Sequence, residues 1–252
     1  VNFNSENNFK FFLDKNFKLK ELNIESDISI NNLELKNIMS LNKIFPDEKK
    51  NISLKDHKVK LSFKEDNLEI NGYGDIFFQK KLDKIKYKIK KNKNILSFDL
   101  NLIITKNPFH LNFLNYKKDR DDKLEFIILG NKSLLSNEIN LKNISIKEKN
   151  NKFEVKNLSL SKKYKIKSLS RVNLSYFDND LLKNELSIQK KDKDYLLDSK
   201  SLNATKIIDD LLKADKNSDN KKIFSNNFKL NIKIKEAFLD KDHLIKNLDG
   251  YL

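Results

Sequence analysis

The sequence predicts an all-β protein, mainly antiparallel, with bulged strands and one or two short helices. Three observations lead there. Apolar and polar residues alternate along most of the chain, the two-residue period of a strand with one buried and one wet face. Polar clusters rich in Asn and Asp interrupt that alternation at short intervals, as turns of an antiparallel meander do. The chain is only 38% hydrophobic, with a mean hydropathy of −0.67. That is too polar for two filled globular cores. Phe, Ile and Leu nevertheless recur too regularly for disorder, so a thin sheet wet on one side fits best.

Four stretches share one pattern: apolar, x, apolar, x, x, apolar, x, apolar. They are residues 17–24 (Phe17, Leu19, Leu22, Ile24), 28–35 (Ile28, Ile30, Leu33, Leu35), 139–146 (Ile139, Leu141, Ile144, Ile146) and 153–160 (Phe153, Val155, Leu158, Leu160). A period of two puts each apolar pair on one face, and the additional spacer flips the faces unless the backbone absorbs it. A β-bulge absorbs it and bends the strand. Asn occupies the second spacer in three of the four (Asn32, Asn143, Asn157), and Asn tolerates the left-handed conformation that some bulges use. A tight two-residue turn at the same place is the alternative. The bulge is preferred, because arms of three residues make very short hairpins.

Further strands are expected at 59–63, 68–70, 75–78, 85–89, 95–104, 124–129, 164–169, 172–176, 186–188 and 195–197. A long alternating strand is expected from 228 to 234, running on to 238, and a last one at 244–252. Helix is sparse. Residues 203–214 place Ile207, Ile208, Leu211 and Leu212 on one face behind a plausible N-cap, Asn203. Residues 108–117 are a weaker helix and 39–45 a third short turn. No sharp shift in composition divides the chain, so one continuous domain is expected. The chain opens at Val1 and stops at Leu252 within its strand pattern, which suggests a segment of a longer protein.

The net charge of +15 and pI of about 9.5 invite a nucleic-acid reading. It is discounted. Lys outnumbers Arg 49 to 2, whereas Arg is the residue suited to bidentate base and phosphate contacts. The lysines also alternate with apolar residues along strands instead of gathering in one arm. A solvated Lys-rich face is the better reading, with some attraction to anionic headgroups. There is no Cys, and no stretch approaches the roughly 20 apolar residues of a membrane span.

No catalytic constellation is evident, and neither cofactor nor metal is expected. His57, His110 and His243 lack partners at ligand spacing, and His110 reads as a core or boundary residue. Asp209 and Asp210 diverge by about 100° if helical, so they read as a solvated flank. Asp119, Asp121 and Asp122 around Arg120 lack the Gly and terminal Glu of a calcium loop and read as a turn. Residues 72–75 (Gly72, Tyr73, Gly74, Asp75) are too short for a phosphate loop.

What remains is architecture. In 228–234 the even positions are Phe228, Leu230, Ile232 and Ile234, and the odd ones Lys229, Asn231 and Lys233. In a closed sandwich such an apolar face meets another sheet; in an open, curled sheet it lines a groove.

Residues 171–252 resemble the AsmA-like superfamily, most closely the C-terminal region of its large YhdP-type members. Those proteins run a strand into Leu–Asp–Ala–Arg–Pro–Leu–Leu and a short helix. A polar loop, an alternating strand and a Leu–Arg–Asn–Val–x–Gly–x–Leu strand follow. Here the matching stretches are 195–204 (Tyr195 to Ala204), the apolar helix positions 207–212, the strand 228–234, and Leu244–Ile245–Lys246–Asn247–Leu248–Asp249–Gly250–Tyr251–Leu252. Asn203 stands where the family often has Asp, and Lys206–Ile207 replaces Arg–Pro. Residues 1–170 fit by strand character alone.

The resemblance implies a long, curled sheet with an apolar groove, in the periplasm of a Gram-negative envelope. It implies an inner-membrane anchor outside this segment. It implies passive phospholipid transport between inner and outer membrane, which maintains the outer-membrane permeability barrier. The groove-lining candidates are Phe228, Leu230, Ile232, Ile234, Phe153, Val155, Leu158, Leu160, Ile139 and Leu141. The alternative is a β-structured interaction or adhesion module of the cell surface, with a closed core and no groove.

Overall fold

The computed structural model describes residues 2–37, 40–119, 121–206, 228–240 and 242–252. In chain order its strands are β1 (Asn2–Leu13), β2 (Leu19–Lys36), β3 (Asn51–Lys64), β4 (Asn67–Phe77), β5 (Asp83–Asn92), β6 (Ile95–Ile104), β7 (His110–Leu111), β8 (Tyr116–Lys117) and β9 (Leu124–Ser133). Then come β10 (Ile139–Glu148), β11 (Asn151–Leu160), β12 (Ile166–Ser168), β13 (Arg171–Phe177), β14 (Lys183–Lys191), β15 (Asp194–Asn203), β16 (Leu230–Phe238) and β17 (Leu244–Tyr251). All but β7 and β8 belong to one large sheet that does not close into a barrel. Its strands follow one another in chain order, skipping from β6 to β9, with β12 beside β11. Every pairing is antiparallel except β15 with β16. Fourteen strands in hydrogen-bonded order, at about 4.8 Å per step, make a ribbon about 60 Å long.

The bulges are real and the strands run through them. Asn157 has φ 50° inside β11, where Leu141 faces Leu158 and Asn143 faces Lys156. The apolar face thereby continues from Ile139 and Leu141 to Ile144 and Ile146. In β2 and β3 the register steps from Ile30–His57 to Asn32–Lys55, and the left-handed residue is Asp56 (φ 49°). The first motif bends at Glu21 (φ 51°). Of the three spacer asparagines, only Asn157 is itself left-handed. At the other sites the bend falls on a neighbour, because either strand of a bulged pair can absorb the additional residue.

Several expectations are corrected. Residues 68–70 and 75–78 belong to one strand, β4, which passes through Gly72 and Gly74 and ends at Phe77. Residues 108–117 are not a helix. They form two-residue strands β7 and β8 around a 3₁₀ turn at Asn112–Leu114, closed by Asn115 in the left-handed region. The strand expected at 228–234 begins at Leu230. The strand at 164–169 shrinks to β12. β1 carries no strong apolar alternation, and pairing with β2 makes it a strand. Residues 41–45 do form a turn, with the Ile44 and Phe45 N–H groups both donating to the Leu41 carbonyl. The Asn203 side chain accepts from the Thr205 N–H at 3.1 Å, the N-cap geometry. The helix expected beyond it, Asp209–Asp210 and the polar loop expected at 215–227 lie outside the described residues, apart from helical Thr205 and Lys206.

Candidate functional site

One face of the sheet is apolar from β2 to β16. A single cross-strand row shows it. Ser5 pairs with Ile28, and the row continues through Val59, Gly72, Tyr87, Leu100 and Ile128 to Ile144. From Ile144 it runs through Val155, Val172, Ile188, Leu197 and Ile232 to Gly250. All ten groove candidates fall on this face. Ile139 pairs with Leu160, Leu141 with Leu158, and Phe153 with Ile146; Leu230, Ile232 and Ile234 lie beside Tyr195, Leu197 and Ser199. The Phe228 ring meets Tyr195 edge-on at 5.0 Å.

These residues do not share one environment. Phe153 is buried in the larger apolar cluster and Ile234 in a smaller one with Leu186, Leu202 and Ala237. Val155, Leu158, Leu160, Ile139 and Leu141 are half-buried. The difference follows from the connections. Strand ends at residues 36, 51, 77, 83, 104, 124, 148, 151, 177 and 183 share one rim of the sheet. The described residues of the long connections, 40–50 and 105–119, lay Phe45, Phe109, Leu111 and Tyr116 over Phe78, Ile104, Leu124, Phe153 and Tyr176 at that rim. At the opposite rim the connections between β3 and β4, β5 and β6, and β14 and β15 are two-residue turns. There Leu61, Ile70, Phe98, Leu141 and Leu158 keep part of their surface in solvent.

A strap of buried and half-buried polar contacts pins residues 105–119 along the covered rim. The His110 N–H donates to the Ile44 carbonyl at 2.9 Å and joins the two crossing segments. Asn107 donates to the Asp83 carboxylate and the Lys81 carbonyl and accepts from the Lys81 N–H. The Tyr176 hydroxyl donates to the Leu114 carbonyl, and the Asn179 N–H to the Asn115 carbonyl. Burial pushes the Asp83 carboxyl up, against hydrogen bonds from Asn107 and Thr105. It pushes the Lys118 ammonium down, against nearby carboxylates. A buried polar group needs partners, so these contacts place the strap in one position.

Close packing marks the apolar face elsewhere. The Tyr87 ring lies over Gly72, where an added Cβ would sit 2.3 Å from its Cζ. His57 is fully buried over Gly74, with Nδ1 3.3 Å from the Lys55 carbonyl and no partner for Nε2 among the described residues. His57 is thus a core histidine, and His110, half-buried, is a boundary one.

The opposite face is polar and charge-paired across strands. Lys60 meets Asp27 at 3.3 Å, Lys84 meets Asp75 at 3.3 Å, and Lys88 and Lys90 both meet Glu69 at 2.7 Å. Hydrogen bonds from Lys88 and Lys90 hold the Glu69 carboxyl down at about 2. The solvated Lys-rich face is therefore present, and its lysines are spread over many strands. Two depressions open on this face. One, of about 810 Å³, lies across β2–β6 around Tyr73; the other, of about 440 Å³, lies across β10–β15 around Asn173. Neither was visible in the sequence, because each depends on the register between neighbouring strands. Among the described residues no cluster of His, Asp and Glu could hold a metal ion, and no helix is long and apolar enough to cross a membrane.

The chain matches no protein-family model, no curated protein and no solved structure. The likeness of residues 171–252 to AsmA-like proteins therefore rests on those residues alone.

Proposed function

We propose that this chain is a lipid-carrying segment of an AsmA-like envelope protein, and that acyl chains lie along the apolar face of its sheet. One observation carries the reading: a row without a polar residue crosses twelve strands from Ile28 to Ile232, and the half of that face away from the strap stays partly open to solvent. Burying a methylene is worth about 0.8 kcal/mol, so a chain lying along several strands would be held outside a bilayer without any single strong contact. Ile139, Leu141, Val155, Leu158 and Leu160 would hold it at the centre of the ribbon, and Leu230 and Ile232 nearer the β17 edge. Both edges of the sheet support a path open at its ends: β1 and β17 are exposed throughout and carry Phe9, Phe11, Ile245 and Leu248. The role is passive carriage, with no bond made or broken. The setting proposed with it is the periplasm, with a membrane anchor outside this segment and phospholipid as the cargo.

Photo-reactive residues at Val155 and Ile232 test the proposal, because both lie in the same row. Expressed in a Gram-negative host, each should crosslink to phospholipid, and organic extraction of the purified protein should recover it. A lipid-free preparation with no crosslink from either position overturns the proposal.

A further inference from the structure

The larger depression on the polar face has an unbalanced centre. One cross-strand row there reads Ser29, Lys58, Tyr73, Lys86, Asn101. Tyr73 points to solvent, 59% exposed, with a lysine directly opposite on each side. In the neighbouring rows the lysines have counter-charges: Lys60 has Asp27, Lys88 has Glu69, and Lys84 has Asp75. Among the described residues no carboxylate lies within ion-pair distance of Lys58 or Lys86. Lys58 donates instead to the Ser29 hydroxyl at 3.1 Å.

We propose that Lys58, Tyr73 and Lys86 form a binding site for a phosphate ester, as carried by a lipid headgroup or by a soluble glycerol or sugar phosphate. The two lysine backbones stand two strand steps apart, about 10 Å, so both flexible side chains can bring their ammonium groups to one anion above the tyrosine. Lysine suits phosphate as a point charge, and the Tyr73 hydroxyl is a further donor beside it. The ring face offers an apolar surface for the carbon skeleton of a glycerol or sugar. A depression of about 810 Å³ is larger than phosphate alone needs and has room for that body. This site lies on the face opposite the apolar row and stands independently of the lipid-carrying reading.

The test is a titration of the full chain with glycerol 3-phosphate, followed through the amide signals of Lys58, Tyr73 and Lys86. A second arm measures binding to vesicles of phosphatidylglycerol diluted in phosphatidylcholine. Each is run on the natural chain, on Lys58→Gln/Lys86→Gln, and on Lys147→Gln, a control on the same face at β10, with circular dichroism to confirm folding. Saturable shifts with glycerol 3-phosphate that weaken about tenfold in the double variant, and not in the control, support a site for soluble esters. Binding confined to vesicles, with the same dependence on Lys58 and Lys86, supports a headgroup site. No saturable binding in either arm, or a folded double variant equal to the natural chain, overturns the proposal.

Discussion

The Tyr116 hydroxyl donates to the Glu148 carboxylate where the strap meets the end of β10, and both side chains are buried. Burial first, and then this bond, hold the Tyr116 phenol well above its ordinary value, so it stays a donor throughout the working pH range. Glu148 also accepts from the Asp119 N–H at 2.9 Å and from Asn151 at 3.1 Å. Tyr116→Phe removes one of three donors and should cost about 1–2 kcal/mol. Glu148→Leu leaves the buried Tyr116 hydroxyl and two partly buried donors unpaired and should cost more. Denaturant midpoints of the two variants check the order, and an unchanged midpoint for both would show that the strap does not depend on this contact.

Acid should weaken the β4–β5 pairing in a defined window. Glu69 has a carboxyl held near 2 in the folded chain by Lys88 and Lys90, against about 4.3 when unfolded. A lowered folded value means the contribution is complete above pH 4.3 and is lost as the pH falls from there towards 2. Glu69→Gln should therefore lose less stability between pH 5 and pH 2.5 than the natural chain. Thermal melts at the two pH values decide it, and since the pair is exposed, added salt should shrink the difference.

The bulge in β11 should be sensitive to branching. Asn157 is left-handed and its side chain donates to the Ser170 hydroxyl at 3.1 Å. Asn157→Val should cost about 1–2 kcal/mol, because a β-branched residue clashes in that conformation, and Asn157→Gly should cost much less. Equal melting temperatures for the two variants would mean that the strand has shifted register to avoid the bend.

Gly74 should resist substitution. An added Cβ would lie 2.7 Å from the His57 Cα, a backbone atom that cannot swing away, at a backbone φ of +159°. Gly74→Ala should thus destabilise by more than about 2 kcal/mol. At Gly72 the three atoms nearest an added Cβ all belong to the Tyr87 side chain, so the cost of Gly72→Ala should fall when Tyr87 is also replaced by Leu. A double-mutant cycle measured by urea unfolding separates the two cases.

Lipid load should follow the uncovered half of the apolar face. Leu141→Asn with Leu158→Asn alters a cross-strand pair that is half-buried and away from the strap. Phospholipid recovered from the purified variant should drop severalfold while the far-ultraviolet spectrum stays that of a sheet. Unchanged recovery from a folded variant counts against carriage along this face.

The period of two was enough to place most of the long strands and to sort their residues by face. Ile139, Leu141, Leu158 and Leu160 could be put together before any pairing was known, because a strand leaves each side chain only two directions. The bulges were legible for the same reason: a break in the period needs a backbone that absorbs it. Local pattern reached no further. Asn2–Leu13 carries Ser5 and Asn7 on its apolar side, and only the β2 partner makes it a strand. Residues 108–117 carry apolar residues at helix-like spacing, yet burial of Phe109, Leu111 and Tyr116 against the sheet imposed a crossing strap. The row of Lys58, Tyr73 and Lys86 joins three strands, and only their hydrogen-bonded register sets the three side by side. Alternation along the chain determined which face each residue takes. Which residues meet across strands, and which part of the apolar face is covered, was decided by hydrogen-bonded register and by the burial of two long connections, and both depend on contacts between distant parts of the chain.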